Sequence, residues 1–262
     1  MTTALGTALG TRLGTALADY ADPGPSVPTI ATLLPLHRYR ASAASTSGGN
    51  LVSVPNQGSA GGSLTMTTGT LAAPVAEAAV NNASVITFTG SQEMRSTLPA
   101  SAFNFLHNGV GCTTVMVAVP GPSIVAVGTA ALAAHTGARL VIATTAVTYF
   151  FTNGSATVAS RSVAGTNTGI GTSALALTSA ASSPDSTLYK NGVLGSSGDF
   201  TVTPSSGDAT QTLTVGRYIL SGTFSSGRLA ELLYFDRILS VAELAVLDAE
   251  LFATYGVRAY IP

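Results

Sequence analysis

The stretch "GRLAELLYFDRILSVAELAVLDAELFATYG", residues 227–256, changes character halfway along. Its first part, "RLAELLYF" (228–235), is a short apolar run of the strand type. Ser240 then opens S-V-A-E, and Glu243 stands three positions on, which is a capping box. Leu239 before the cap and Leu244 after it suit a hydrophobic staple. Leu244, Leu247 and Leu251 share one helical face, and Gly256 is placed to stop the helix. The segment therefore reads as strand, turn and amphipathic helix. It also gathers charge. The chain has 11 basic and 12 acidic residues, and Arg228, Glu231, Asp236, Arg237, Glu243, Asp248, Glu250 and Arg258 all fall between residues 228 and 258. A helix with a wet outer face explains part of this, so Glu243, Asp248 and Glu250 read as solvated or capping groups.

Upstream, the pattern is one of short β-like runs punctuated by Gly, Ser, Asn and Pro. Strands are expected at 84–90, 113–119, 139–145, 147–151, 156–163, 173–179, 186–190, 211–216 and 228–235. Residues 129–135 suit a short helical turn. Asn153-Gly154 and Asn191-Gly192 are expected as tight hairpin turns, because both residues tolerate positive φ. Many short strands with frequent turn signals predict an antiparallel sandwich. At 262 residues one such domain can bury roughly 70% of its unfolded surface.

The first segment differs again, with a four-residue repeat: ALGT, ALGT, RLGT, ALAD (4–19). On a helix Leu5, Leu9, Leu13 and Leu17 form a slowly winding stripe, and Gly6, Gly10 and Gly14 run parallel to it. Small residues every four positions allow close approach of another backbone. Interior glycines each cost about 1 kcal/mol relative to alanine, so such a helix needs something to dock on. Residues 1–28 are expected to be a helical arm and Pro-rich linker, and 29–262 the body. Arg12, set in the middle of the apolar stretch, argues against a secretory signal.

Bulk properties exclude several classes. Net charge is −1 and the basic residues are scattered, which gives no footprint for nucleic acid. No apolar run is long enough for a membrane span. Cys112 is the sole cysteine, so no internal disulfide forms, and its setting reads as a buried small hydrophobe.

The late segment resembles the C-terminal end of concanavalin A-like, laminin G-like jelly-roll domains. There a last strand of the form G-x-[IL]-A-E-[VL]-x-[VIL]-[YF]-[DN]-R-x-L precedes S-x-x-E and a short helix ending in Y-G. Gly227, Leu229, Ala230, Glu231, Leu232, Tyr234, Phe235, Asp236, Arg237, Leu239, Ser240, Glu243, Tyr255 and Gly256 carry the likeness. "STLYKNG" is similar to the family's L-Y-x-N-G hairpin through Leu188, Tyr189, Asn191 and Gly192. "QTLTVGRY" and "VNNASVITFTGSQEMRS" resemble two further strands of the family. The resemblance implies an all-β, two-sheet antiparallel jelly roll, of a kind found in phage virion and surface proteins. Relatives bind glycans or proteins, serve architectural roles or, in some cases, hydrolyse glycosides.

A glycosidase needs two carboxylates about 5–9 Å apart across one bond. Glu231 and Asp236 are five positions apart, which strand alternation places on opposite faces. Glu231 is expected to pair with an arginine such as Arg217, Arg228 or Arg237. Asp185, Asp199 and Asp208 are the loop acids in reach of a calcium ion, but Asp next to Gly favours turns, and turn chemistry is the preferred reading of them. His37, His107 and His135 are isolated, without zinc spacing. Tyr149, Tyr189 and Tyr218 are the candidates for stacking on a sugar, with sheet packing as the alternative. Tyr149, Phe150 and Phe151 are consecutive, so at least one must turn from the core.

The leading expectation is therefore a non-catalytic structural protein without a cofactor. It would be a phage virion component, decorating a capsid or associated with a tail. It would be anchored to copies of itself or to other virion proteins by residues 1–28. The alternative is an extracellular or cell-surface adhesin or lectin module that binds a host glycan.

Overall fold

The segment that opens the sequence argument folds as its pattern dictates. In the structure, a computed structural model, Ser226–Phe235 is a strand and Val241–Tyr255 a 15-residue helix, α1. The capping box is formed in both directions between Ser240 and Glu243. Gly256 ends α1 at φ +68°, a left-handed conformation that favours glycine. The structure describes residues 28–122, 125–129, 135–155, 158–178, 186–198, 200, 202–217 and 224–262. The expected arm at 1–27 and most of the expected turn at 129–135 lie outside the described residues.

Two antiparallel sheets make the body. The first runs β15 (Val193–Ser196), β14 (Ser186–Lys190), β13 (Thr172–Thr178), β8 (Cys112–Pro120), β17 (Ser226–Phe235), β6 (Ala83–Thr89), β5 (Val75–Glu77). In this sheet β1 (His37–Arg40) also pairs with β17. The second runs β12 (Ala159–Ala164), β11 (Ala146–Asn153), β10 (Thr136–Ile142), β9 (Val125–Gly128), β16 (Thr214–Val215), β7 (Glu93–Ser96), β4 (Ser63–Thr68), β3 (Asn50–Pro55), β2 (Ser45–Ser47). The chain passes repeatedly from one sheet to the other.

The layers follow from alternation. Met116, Ala118, Leu232 and Tyr234 face the second sheet and join Leu64, Phe103, Leu140 and Phe151 in the core between the sheets. Their neighbours Val115, Val117, Val119, Leu233 and Phe235 face the other way, onto Leu244, Leu247 and Leu251 of α1. β8 is thus buried on both faces, and "CTTVMVAVP" carries no charge, with Val, Met and Ala filling 115–119. Each of the three leucines adds about 1.5–3 kcal/mol by leaving water. A bulge between Leu229 and Glu231 resets β17. It leaves Leu229 in the inter-sheet core and Ala230 under α1. One edge of β17 is covered by β8, and the other is shared: β6 takes Ser226–Leu229 and β1 takes Glu231–Tyr234.

Two turn expectations diverge. Asn191 (φ +49°) and Gly192 (φ +82°) make the tight turn between β14 and β15. At Asn153-Gly154 only the glycine has positive φ. β11 runs on through Asn153 and β12 starts at Ala159, so Asn153-Gly154 is not a two-residue turn between them. Asn153 instead accepts from Ser155 N–H and donates to the Thr203 carbonyl. The strand expected at 211–216 shrinks to Thr214–Val215.

Candidate functional site

Two places on the α1 side of the first sheet hold chemistry that a core does not need. The first begins with β1. In "HRYR" alternation sends His37 and Tyr39 inward and Arg38 and Arg40 toward α1. Arg38 Nε donates to Glu231 Oε1 at 2.7 Å and its Nη2 to Glu250 Oε1 at 2.7 Å. Tyr255 of α1 donates its hydroxyl to Glu231 Oε2 at 2.6 Å. Glu250 Oε2 accepts the Ile30 N–H at 2.6 Å. Arg40 Nε stands 3.8 Å from Glu231 Oε2.

This network corrects the expected partners of Glu231. Its arginines are Arg38 and Arg40, brought opposite by the β1–β17 register. Arg217 pairs instead with Glu93, Arg228 with Glu77 and Arg237 with Glu243. Glu231 is 1% exposed, with both oxygens occupied. Burial lowers the Arg38 pKa and raises that of Glu250, but their contacts outweigh it. Arg38 is held above its ordinary value by Glu231 and Glu250, and Glu250 below its own by Arg38 and the Ile30 amide. Burial, then the Glu231 charge, push the Tyr255 phenol well up.

Three open grooves border this network. One of about 480 Å³ includes Pro35, Arg38, Arg40, Gln57 and Ser59 in its wall. One of about 320 Å³ lies between Arg40, Ser42, Asn82, Ser84 and Tyr255. A third, of about 450 Å³, runs along α1 past Pro28, Val246, Ala249 and Ala253.

The second place is the free end of the first sheet. Tyr189 of β14 is half-buried, and its ring meets Tyr260 edge-on with centroids 5.3 Å apart. Burial and the neighbouring Tyr260 hydroxyl raise the Tyr189 phenol. Tyr260 is on the C-terminal tail, which is sewn to the β14–β15 turn by Ile261 N–H donating to the Gly192 carbonyl at 2.8 Å. From the other side Asp248 Oδ1 accepts the N–H groups of Ala259 (2.7 Å) and Tyr260 (3.1 Å). Its Oδ2 accepts from Arg258 at 2.7 Å. Asp248 is 5% exposed, so it is a buried pin for the tail and not the solvated group expected; Glu250 likewise is an ion-pair partner. Val193 (61% exposed) and Leu194 (53%) lie beside the pair, as does Ile261. Apolar surface and two amphipathic rings at a rigid edge form a platform that costs little entropy to present.

The other candidates fall elsewhere. Tyr149 is buried, stacks on Phe200 and donates to the Leu106 carbonyl, so its ring is not available at the surface. The residue of its trio that turns from the core is Phe150, under the Arg139 guanidinium at 4.1 Å. Asp208 is exposed and accepts from Asn104 at 2.7 Å. Tyr218, Asp185, Asp199, Leu5, Leu9, Leu13, Leu17, Gly6, Gly10 and Gly14 lie outside the described residues. Among the described residues no group of three His, Cys, Asp or Glu side chains is arranged to hold a metal, and no helix is long and apolar enough to cross a membrane. Cys112 is buried, and burial pushes its thiol up to about 11. Sequence reasoning missed Arg38, Arg40 and Tyr260. For the arginines a signal was present, in the period-2 alternation of residues 37–40.

No family model matches the chain, and no curated protein matches it. Solved structures do. The binding domain of botulinum neurotoxin serotype D/C VPI 5993 superposes with TM-score 0.58 at 7% identity, covering 83% of this chain and 52% of that one. The receptor-binding domain of the botulinum neurotoxin C/D mosaic serotype gives 0.55 at 9%, covering 82% and 50%. The binding domain of botulinum neurotoxin DC in complex with SialylT gives 0.55 at 9%, covering 78% and 52%. At such identities the likeness shows the fold alone. The chain spans about half the length of the solved structures it matches.

Proposed function

We propose that this chain is a non-catalytic binding module for carbohydrate on a receptor or cell surface, acting outside the cell, within a concanavalin A-like jelly roll. The observation that carries this reading is the half-buried Tyr189–Tyr260 pair, fixed at a sheet edge by the Asn191-Gly192 turn and by Asp248. Paired rings offer apolar faces to sugar C–H groups and hydroxyls at their rims. The saturation of Glu231 supports a role without hydrolysis. The three neurotoxin domains with this fold are binding or receptor-binding domains, which favours the binding reading over the virion one. The test is thermal stabilisation of the full chain across a panel of oligosaccharides, since a ligand that binds only the folded state must stabilise it. A glycan that shifts the wild type and shifts Tyr189→Ala and Tyr260→Ala by as much overturns the assignment to this platform. No shift across the panel overturns the module reading.

A second reading, assembly into a phage particle through residues 1–28, rests on the Leu/Gly repeat. One observation favours it: Pro28 lines the groove along α1, and Ile30 is tied to Glu250. Light scattering on the full chain and on a form starting at Thr29 tests it. Equal monomeric masses would count against it.

A further inference from the structure

We propose that Arg40 receives the acidic group of a saccharide, a carboxylate or sulfate ester, in the two grooves that flank it. The inference rests on the glycan-binding reading and names a subsite distinct from the tyrosine platform. Arg40 belongs to the walls of both the 480 Å³ and the 320 Å³ grooves. Among the described residues no carboxylate lines either one, and the charged residues are Arg38 and Arg40 in the first and Arg40 in the second.

The two nearby glutamates are already spent. Glu231 takes Arg38 and the Tyr255 hydroxyl, and Glu250 takes Arg38 and the Ile30 amide. Among the described residues, the only carboxylate within 4.0 Å of Arg40 is Glu231, and the 3.8 Å separation is too long for a hydrogen bond. Arg40 Nε is buried and makes no hydrogen bond. Its side chain is 27% exposed, so the guanidinium is reachable from the grooves. A guanidinium fork matches the two oxygens of a carboxylate or sulfate.

The remaining polar lining suits a sugar. Gln57 and Ser59 stand on one side of Arg40, and Ser42, Asn82 and Ser84 on the other. These are neutral hydroxyl and amide groups, complementary to ring hydroxyls. Both volumes fall within the roughly 300–1,000 Å³ of small-ligand sites.

The experiment is calorimetric titration of the full chain with three probes: an oligoglucuronate, a sulfated gluco-oligosaccharide free of carboxylates, and the neutral gluco-oligosaccharide. At least one acidic probe is expected to bind roughly tenfold more tightly than the neutral one, a preference that weakens with added salt. The better acidic probe identifies the group. Arg40→Gln is expected to abolish the preference, and Arg40→Lys to keep part of it. Thermal midpoints confirm that each variant is folded, and the lysine variant serves if the glutamine one is not. Tyr189→Ala is expected to leave the preference intact. Equal binding of acidic and neutral probes, or a preference that survives Arg40→Gln, overturns this subsite while leaving the tyrosine platform standing. Binding of none of the probes to any form overturns the subsite, and the glycan panel above then decides the module reading separately.

Discussion

Asp248, in the middle of α1, accepts the backbone N–H of Tyr260 at 3.1 Å, so one helix side chain sets where the terminal aromatic stands. The same carboxylate takes the Ala259 N–H and the Arg258 guanidinium. Asp248→Ala is expected to leave these donors without their acceptor and to cost about 2–4 kcal/mol, at about 1–3 kcal/mol per buried unsatisfied group. Ligand binding at the tyrosine platform is expected to fall with it. Asp248→Asn keeps an acceptor oxygen and is expected to cost less. Urea denaturation and glycan titration of the two variants check this.

Glu231 is paired with Arg38 beneath α1 at 2.7 Å, and Arg40 stands 3.8 Å off. Removing one partner of a buried ion pair costs more than the pair itself contributes, because the other charge stays buried. Glu231→Ala is therefore expected to destabilise by about 3–5 kcal/mol. Tyr255→Phe, which removes one hydrogen bond to a charged group, is expected to cost about 1.5–3 kcal/mol. A hydrolytic enzyme using Glu231 would instead show an activity that Glu231→Gln abolishes.

His37 lies stacked on Phe103 at 4.7 Å, and burial pushes its pKa down to about 4. The folded value is below the ordinary 6.5, so folding favours the neutral ring. Its contribution is complete above pH 6.5 and is lost as pH falls from there toward 4. Between pH 7 and 5 this amounts to about 2 kcal/mol. His37→Phe is expected to flatten that part of the stability profile, leaving what His107 contributes, since burial lowers its pKa too. An unchanged slope in chemical denaturation would sink the assignment.

Gly192 joins the hairpin turn to the tail. A Cβ there would sit 2.7 Å from Ile261 Cγ1 and 2.8 Å from Arg258 Cβ, on a backbone at φ +82°. Gly192→Ala is expected to cost about 1–2 kcal/mol from the left-handed conformation alone. It is also expected to displace Ile261 and weaken the platform, which tyrosine fluorescence and glycan titration would register.

What was legible in the sequence was whatever depended on neighbours along the chain. The Ser240–Glu243 box, the leucine face of α1 and the strand at 113–119 are local patterns. The same holds for the Asn191-Gly192 turn. β1 was hard to read despite its alternation, because two of its four residues are arginines that face α1, and the carboxylates that take Arg38 lie more than 190 positions away. Asn153 looked like a turn residue, yet β11 absorbs it and its amide goes to Thr203. Tyr260 carried no local signal at all. Its place is fixed by Asp248, twelve residues back on a different element.

β17 lies between β8 on one side and β6 with β1 on the other, although it is the last strand to be made. During synthesis β8 must therefore wait, one edge bare and both faces apolar, while more than a hundred residues follow it. Such a topology is built from distant contacts, which slows folding and leaves an adhesive edge open in the meantime. The growing chain thus has a vulnerable interval that closes only once residue 235 has left the ribosome, and expression yield would be set there.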